Sequence, residues 1–578
     1  MNRVLYRVAA IGLLIACATR AQTPVILISI DTLRADHLGA YGYTRIPTPH
    51  IDALAHGGTL FTQIDAQIPL TLPSHASLLT STYPFAGHIE ENGAILAPGA
   101  VTLATTLRSQ GYRTGAFIGS IALDRRYGLD QGFDVYDSPF EAADPALGNP
   151  YARRTTRDAT LVLRAARQWL EANRDHPAFA FIHLYDLHLP YRLPGYSPLQ
   201  PSVAGYDAEL QYVDAALGRF QEGLGQSGLW DRALVVLLAD HGESLGEHGE
   251  SGHGYFIYES TLHVPLIVHW PLLAGSPASA HPDRVAEPGG LIDVAPTLLE
   301  FLHIPAPTSF QGKSLFAGAR PVISESAYAR DVLGWAALRG IRSGAMKYIE
   351  APQPELYDLP ADPGEKTNLD KRRPDEARPL KHRLEEFLKV DEFLESQKSP
   401  APPPSANMQA LRSLGYLAGP AAQPGGSRID PKDRIREYEA YARAVALMYA
   451  GRAAEAVNAL RAIAVSDPRN NAIQTDLGHA YLDAGQPGKA LAEWQAVLAR
   501  DPAFTPAWEA EGFYWLERGE FTKAKAAFEK TIARSPRDYE ANLALSVADE
   551  KLGLKAEAEA HRKIVCAISP ATPGCAPT

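Results

Sequence analysis

A 34-residue period in the last part of the chain constrains its fold more than any other feature of the sequence. Glycines, alanines and prolines each recur at this spacing: Gly451, Gly485, Gly519 and Gly553; Ala456, Ala490, Ala524 and Ala558; Pro468, Pro502, Pro536 and Pro570. A glycine permits a tight turn between two helices, a small alanine lets paired helices approach closely, and a proline ends a helix. The period therefore predicts four stacked helix pairs over residues 433–573.

This pattern resembles the tetratricopeptide repeat (TPR), whose arrays stack into an all-α solenoid with a concave groove. The resemblance implies that a protein or peptide partner binds in the groove. The alternative is that the repeats stack only for stability and bind nothing. We expect three aromatic side chains to pack between helices rather than contact a ligand: Trp508, Phe513 and Trp515.

The chain has 578 residues, which is too long for one core of ordinary size, so two or three domains are expected. The content of 46% apolar and 21% charged residues is typical of a folded, soluble protein. A net charge of −11 without basic blocks argues against binding to a nucleic-acid backbone. The three cysteines, Cys17, Cys566 and Cys575, exclude a disulfide scaffold and a cysteine-based zinc site.

The pair Cys566 and Cys575 has two open interpretations. In an oxidising compartment the two thiols would bridge and tether the end of the chain to the last repeat. Alternatively, Cys566 is a buried helix residue and Cys575 is a free thiol.

The first residues predict export. Two arginines precede an apolar run, Val8 to Ala16, which is too short to span a bilayer but matches the apolar core of a signal peptide. We expect residues 1–21 to be a signal peptide and the protein to be periplasmic or at the cell surface. Leu14-Ile15-Ala16-Cys17 resembles the lipobox of bacterial lipoproteins, which would attach a lipid anchor to the membrane, and Thr19-Arg20-Ala21 is the competing cleavage site.

Residues 24–394 alternate short β-rich runs with longer helical stretches, which predicts an α/β domain with a mostly parallel sheet flanked by helices. Five runs predict strands: Val25–Ile30, Thr114–Ile118, Ala178–Leu184, Ala233–Ala239 and Val264–Val268. Ligands of open α/β sheets bind outside the carboxyl ends of the strands, so we expect polar residues that follow these runs to meet at one site. A linker rich in proline and glycine, residues 395–432, precedes the repeats.

Thr71 stands at the start of a predicted helix, because Pro73 suits a first helical turn. The positive end of the helix dipole favours an alkoxide or a bound oxyanion there, although for this fragment alone a plain helix cap is the default interpretation of Thr71. Asp31 and the pair Asp240-His241 follow predicted strands. Two carboxylates, an imidazole and a hydroxyl together predict a divalent metal site that lowers the pKa of the hydroxyl and binds an anionic ester.

Several motifs in order along residues 24–390 resemble the sulfatase branch of the alkaline phosphatase superfamily. They are DTLRADHLGAYG from Asp31, TLPSHASLLT from Thr71, DHGESLGEHG from Asp240 and ELYDLPADPGEKTNL from Glu355. The resemblance implies an alkaline-phosphatase-like fold. It also implies that Asp31, Asp240 and His241 hold the metal, and that Thr71 is the nucleophile and touches the metal.

The same resemblance implies further roles. Asn92 matches an asparagine that hydrogen-bonds a substrate oxygen in related phosphodiesterases and phosphonate hydrolases, but an Asn-Gly turn explains it as well. Groups at the positions of His188 and His253 contact the substrate and its leaving oxygen. With Asp186 these two histidines are also suitable ligands for a second metal. One metal ion is favoured over two, and the ion could be Ca²⁺, Mg²⁺, Mn²⁺ or Zn²⁺. Three other histidines are expected to be structural or to support the site: His88, His183 and His248.

Three departures from the sulfatase pattern favour phosphate esters. Sulfatases convert a cysteine or serine to formylglycine, an aldehyde that the carbon skeleton of Thr71 does not form. The Asp-Asp pair that opens many sulfatases is Asp31-Thr32 here, and Gly119-Ser120 stands where sulfatases often carry a sulfate-binding lysine and histidine. We therefore expect an exported metal-dependent hydrolase of phosphate mono- or diesters. The alternatives are a sulfatase with atypical machinery and an inert scaffold that works through its repeats.

Overall fold

The structure is a computed structural model that describes residues 23–140, 155–189, 191, 193, 195–196, 201–271, 281–395, 429–568 and 575. The predicted signal peptide with its lipobox and most of the predicted linker lie outside the described residues. The predicted fold class is confirmed: a mostly parallel sheet flanked by helices is followed by an all-α region of TPR repeats. None of the helices described has the length and apolarity to cross a bilayer.

The described residues contain fifteen strands. In chain order they are β1 (Val25–Ile30), β2 (Thr59–Asp65), β3 (Arg113–Phe117), β4 (Val135–Asp137), β5 (Ala178–Leu184), β6 (Leu234–Leu238), β7 (Ser244–Leu245), β8 (Ser251–Gly252), β9 (His263–His269), β10 (Arg284–Val285), β11 (Gly289–Gly290), β12 (Val322–Ser326), β13 (Leu338–Ser343), β14 (Met346–Glu350) and β15 (Glu355–Asp358).

The helices of the α/β domain that the structure describes are α1 (Pro49–His56), α2 (Thr71–Thr80), α3 (Pro84–Gly87), α4 (Leu103–Ser109), α5 (Ala159–Ala172), α6 (Val203–Gln226), α7 (Leu229–Arg232), α8 (Glu259–Leu262), α9 (Val294–Phe301), α10 (Tyr328–Leu333) and α11 (Pro374–Glu395). The helices of the repeats are α12 (Ile435–Tyr449), α13 (Ala453–Ser466), α14 (Asn471–Asp483), α15 (Pro487–Arg500), α16 (Thr505–Glu517), α17 (Phe521–Ile532), α18 (Tyr539–Lys551) and α19 (Lys555–Ile568).

Nine of the described strands form one sheet in the order β10-β2-β9-β6-β1-β5-β3-β4, with β11 also paired to β2. Every pairing is parallel except those of β9, which runs opposite to β2 and β6. The central strands β1, β5 and β6 are buried at every position, because helices cover both faces of the sheet. Since β1 pairs in parallel with both β5 and β6, the residues after these three strands emerge at the same edge.

A smaller antiparallel sheet of β12, β13, β14 and β15 follows in the chain. Its apolar side packs against α11, where Ile341, Tyr348 and Leu384 share a core. The sequence did not predict this sheet.

The repeats consist of helix pairs joined at glycines with positive φ, such as Gly485 at 71°. In the second pair the ring of Trp494 is fully buried against Gly478, where a Cβ atom would lie 2.2 Å from the indole nitrogen. Cys566 and Cys575 form a disulfide with their Cα atoms 5.5 Å apart. Apolar contacts between buried side chains run without a break from the α/β domain into the repeats.

Candidate active site

The ends of two central strands and the start of one helix position four polar side chains. Asp31 follows β1, Asp240 and His241 follow β6, and Thr71 is the first residue of α2. All four residues have no solvent-exposed surface. Burying this many polar groups together is costly unless they serve one another or a ligand.

The four side chains are in contact. The Thr71 hydroxyl oxygen lies 3.4 Å from Oδ2 of Asp31 and 3.4 Å from Nε2 of His241. Nε2 of His241 also lies 3.4 Å from Oδ2 of Asp240. Nδ1 of His241 donates to the carbonyl oxygen of Gly242 at 3.0 Å, so Nε2 presents its lone pair to the other three groups.

The donor set fits a divalent metal ion. One ligand atom from each of Asp31, Asp240 and His241 lies within 4.8 Å of the other two. Among the described residues, Oδ1 of Asp31 and Oδ2 of Asp240 have no hydrogen-bond partner. Two carboxylates with orphaned oxygens and a neutral imidazole are ligands that hard or borderline divalent cations accept.

The pKa values of these ligands point the same way. Burial raises the pKa of Asp31 well above its usual range, and the hydrogen bond from Thr71 only partly opposes this. Burial, and after it the charge of Asp31, raises the pKa of Asp240. Burial is also the main cause that lowers the pKa of His241. A bound cation would offset the cost of burying two carboxylates side by side.

Asn92 lies at the start of α2. Its Oδ1 accepts a hydrogen bond of 2.8 Å from the backbone amide of Leu72, the residue after Thr71. Its Nδ2 is buried and has no partner within the described part of the chain. Asn92 also precedes Gly93, which has a φ of 99°. The Asn-Gly turn and the hydrogen bond from the Asn92 side chain to α2 are therefore both present.

His188 and His253 form a pair beside the carboxylate cluster. Their Nε2 atoms lie 3.0 Å apart, and the rings of His253 and His241 have centroids 4.2 Å apart. Nδ1 of His188 donates to Leu189 and Nδ1 of His253 donates to Pro69, at 2.5 and 3.0 Å. Because both Nδ1 atoms donate to carbonyl oxygens, the hydrogen bond between the two Nε2 atoms requires one shared proton.

Asp186, which the sequence analysis grouped with these two histidines as ligands of a possible second metal, is buried after β5. No three-ligand group among the described residues contains Asp186, His188 or His253. The two Nε2 atoms of the histidines lie within hydrogen-bond distance of each other. Among the described residues, the possible ligand groups include the predicted set of Asp31, Asp240 and His241, and the second metal site stays a prediction.

Two histidines that sequence reasoning left outside the metal site lie directly against it. Nε2 of His183 donates to Oδ2 of Asp31 at 3.2 Å, and Nδ1 of His75 lies 3.5 Å from Oδ2 of Asp240. His75, His183 and Asp240 form a second group of possible metal ligands. Burial lowers the pKa of His183 to about 3. His75 stands four residues after Thr71, one turn along the same helix face, and that spacing was a usable signal.

Comparison with known proteins identifies the two parts of the chain. Residues 23–304 match the family model described as Sulfatase. Residues 23–304 form a sulfatase domain. Segments 441–503, 475–512 and 514–573 match the tetratricopeptide repeat model. The resemblance that the sequence motifs indicated is therefore confirmed, and the protein is a hydrolase of the sulfatase superfamily.

Similar proteins include the N-acetylgalactosamine-6-O-sulfatase of Bacteroides thetaiotaomicron, which is 26% identical over 67% of this chain and 98% of its own length. Human arylsulfatase A is 25% identical over 60% of this chain and 83% of its own length. Among solved structures, the phosphonate monoester hydrolase of Agrobacterium radiobacter shares the fold with a TM-score of 0.52 and 22% identity, covering 65% of this chain and 96% of that one.

These relatives overturn one prediction. We expected phosphate esters to be favoured over sulfate esters, and that prediction is wrong, because the similar proteins are named sulfatases. The expectation depended on the residue type at position 71 and on two nearby departures from the sulfatase pattern. The candidate metal ligands at the sheet edge suit an anionic ester of either kind, so they did not discriminate.

Proposed function

We propose that this protein hydrolyses sulfate esters and that the hydroxyl of Thr71 is its nucleophile, in place of formylglycine. The observation that carries the proposal is the contact of the Thr71 hydroxyl with Asp31 and His241 at 3.4 Å each. The names of the similar sulfatases support sulfate as the group transferred.

In this proposal Asp31, Asp240, His241 and the Thr71 oxygen hold one divalent cation. When bound, the cation would lower the pKa of the Thr71 hydroxyl and offset the negative charge of the sulfate group. The N-terminus of α2 adds the positive end of the helix dipole at the same point. Nδ2 of Asn92, which has no partner among the residues described, would donate to a sulfate oxygen, since Oδ1 already accepts from the amide of Leu72.

The paired histidines supply the proton for the leaving group. Burial lowers the pKa of His188 to about 3 and that of His253 to about 4. The pair therefore takes up its shared proton only when negative charge lies nearby, and the anionic ester brings that charge. The Thr71 hydroxyl loses its proton to solvent, Oγ1 attacks sulfur, the bond from sulfur to the ester oxygen breaks, and this oxygen takes the shared proton. Water then attacks the same sulfur, the bond to Thr71 Oγ1 breaks and inorganic sulfate leaves. One proton of this water returns to the histidine pair and the other passes to solvent.

Isotope labelling tests this proposal. The purified protein is assayed with an aryl sulfate in water enriched in ¹⁸O, and sulfate and alcohol are analysed by mass spectrometry. We expect the label in sulfate and none in the alcohol, together with a stoichiometric divalent metal by elemental analysis. An aryl phosphate, assayed in parallel, should turn over more slowly. Absence of sulfate release above the level of a Thr71→Ala control would contradict the proposal.

Export is also proposed. The disulfide between Cys566 and Cys575 supports it, because structural disulfides form and persist in oxidising compartments. Sequencing the N-terminus of the protein from its native host tests this and decides between cleavage before a lipidated Cys17 and cleavage after Ala21. An intact Met1 on the mature protein would contradict export by this route.

The repeats are proposed to bind a protein or peptide partner in their groove. Stacked TPR helices support this, since such arrays generally present a concave surface.

A further inference from the structure

The loop that carries His253 is held by the first TPR repeat. We call residues 243–256 the active-site loop. The backbone amide of Ser251 donates to Oε1 of Glu439 on α12 at 2.7 Å. The Tyr255 hydroxyl donates to the carbonyl oxygen of Pro431 at 2.8 Å, and the Tyr255 ring stacks on Tyr438 with centroids 4.2 Å apart.

These contacts are withdrawn from water. Glu439 is 9% exposed, Tyr438 is 5% exposed and Tyr255 is fully buried. A buried carboxylate that accepts a backbone hydrogen bond contributes more to stability than an exposed one, because its removal leaves a buried amide without a partner. Close packing continues along α12, where a Cβ atom on Gly249 would lie 3.4 Å from Ile435.

A second set of bonds anchors the turn before α12. Oδ2 of Asp430 accepts from the amide of Gln353 at 2.8 Å, and Nζ of Lys432 lies 2.9 Å from Oε1 of Glu355. Farther along, Nδ2 of Asn470 donates to the carbonyl oxygen of Leu333 at 3.1 Å. The first repeat is therefore fixed to the α/β domain on both sides of Glu439.

The active-site loop connects these contacts to the catalytic groups. Ser251 and Gly252 form β8, which pairs with β7 just after the ligands Asp240 and His241. His253 follows at once, and its Nδ1 bonds to Pro69. Gly254 has a φ of 99° and approaches Leu70 so closely that a Cβ atom would lie 3.0 Å from the Leu70 side chain. A shift of the Ser251 backbone therefore moves His253 relative to Thr71.

We propose that Glu439 is a positioning residue of the active site, which orients His253 by holding the amide of Ser251. The first TPR repeat is then part of the catalytic unit, and the face of the repeat that carries Tyr438 and Glu439 packs on the sulfatase domain. The effect on turnover rests on the proposed function, whereas the effect on the loop does not.

Kinetics of three variants of the full chain test the proposal with an aryl sulfate. Glu439→Ala removes the acceptor, and we expect kcat to fall about tenfold with KM unchanged, as for the loss of one hydrogen bond to a charged group. Glu439→Gln keeps an acceptor oxygen and should stay within about twofold of the wild type on the same reasoning. Glu455→Ala is the matched control, because Glu455 pairs with Arg452 on an exposed helix face. Equal losses in Glu439→Ala and Glu439→Gln would overturn the proposal.

Combining Glu439→Ala with His253→Ala separates positioning from general destabilisation. If Glu439 acts through His253, the second substitution has no further effect on kcat once His253 is gone. Additive losses would show that Glu439 acts elsewhere and would overturn the proposal.

Hydrogen exchange provides a readout that does not depend on activity. In Glu439→Ala the amides of residues 250–256 should exchange faster, with those of β9 unchanged, and Glu439→Gln should resemble the wild type. Unchanged exchange of this segment in Glu439→Ala would overturn the proposal even if no sulfate ester is turned over. Faster exchange with an inactive wild-type protein would leave the positioning role standing and remove only the proposed function.

Discussion

The hydroxyl oxygen of Thr71 lies 3.4 Å from Oδ2 of Asp31, and both residues are fully buried. Within the described residues, Oδ1 of Asp31 has no hydrogen-bond partner, and Oδ2 lies beside a hydroxyl at the N-terminus of α2. Sulfate transfer through this hydroxyl would pass through a sulfate ester of threonine.

Removal of the hydroxyl should abolish turnover. We expect Thr71→Ala to lower kcat by about a thousandfold or more, the scale seen when a nucleophile is removed. Thr71→Ser is the matched control, because it keeps the hydroxyl and should retain activity well above that of the alanine variant. Steady-state kinetics and circular dichroism of both variants check this, and near-normal turnover by Thr71→Ala would exclude a covalent role.

Metal content and activity should fall together in Asp240→Asn. The amide removes one of two buried carboxylates, so the affinity for a divalent cation decreases. Asp207→Asn is a suitable control, since that carboxylate instead bonds to His37 and Tyr43. Elemental analysis of the purified variants measures the effect. Stoichiometric metal in Asp240→Asn would contradict the assignment.

Loss of His253 should matter most for substrates with poor leaving groups. An alkoxide needs a proton as it departs, whereas a nitrophenolate does not. We therefore expect His253→Ala to reduce kcat/KM for an alkyl sulfate about a hundredfold, and for 4-nitrophenyl sulfate much less. Equal losses for both substrates would argue for a binding role instead of proton donation.

Stability should depend on pH through Glu250. Burial raises the pKa of Glu250 to about 8, from 4.5, although amide hydrogen bonds from Tyr255 and Phe256 partly oppose this. Between these values the folded state holds a proton that the unfolded state has lost, so stability falls as pH rises from about 4.5 to about 8. Glu250→Gln keeps the acceptor and removes the titration.

Thermal unfolding measured from pH 5 to pH 8, at steps of about one pH unit, checks this, because the range lies between the pKa values of Glu250 in the unfolded and folded states. We expect the unfolding temperature of Glu250→Gln to vary less than that of the wild type and to exceed it at the upper end of the range. A parallel pH dependence of the two proteins would assign the effect to another group.

The bridge between Cys566 and Cys575 should stabilise the last repeat. The loop it closes is short, so we expect a gain of roughly 2 to 3 kcal/mol from the chain-entropy effect. Mass spectrometry of the non-reduced protein from its native compartment should find the two residues in one cross-linked peptide. Two free thiols there would contradict the bridge.

Strands with continuous apolar runs were predictable, because burial on both faces leaves a direct trace in the sequence. β1 and β5 have the predicted bounds, and β3, β6 and β9 each differ from the predicted bounds by one residue at both ends. The smaller sheet left no such trace. Its strand β13 contains Arg342, which is 5% exposed and bonds to Asp65 at 2.8 Å, and no local pattern announces a partner so distant in the chain.

The candidate site shows the same division. Polar residues at strand ends were predictable from topology, and the structure groups Asp31, Thr71, Asp240 and His241. The ring of His183 was harder to place, because its contact with Asp31 depends on the register between β1 and β5. The contact of Tyr255 with Tyr438 joins segments far apart in sequence. The 34-residue period describes only the repeats, so it did not predict where they pack against the α/β domain.

The stacking of Tyr255 on Tyr438 also limits how this sulfatase domain can be moved between proteins. A chain shortened before Asp430 would expose the fully buried Tyr255 ring and leave the amide of Ser251 without its acceptor. Insolubility and rapid proteolysis would follow from such an uncovered apolar face. A gene fusion that contains this domain must therefore include α12. The functional boundary of the domain lies inside the array of repeats and not at the linker.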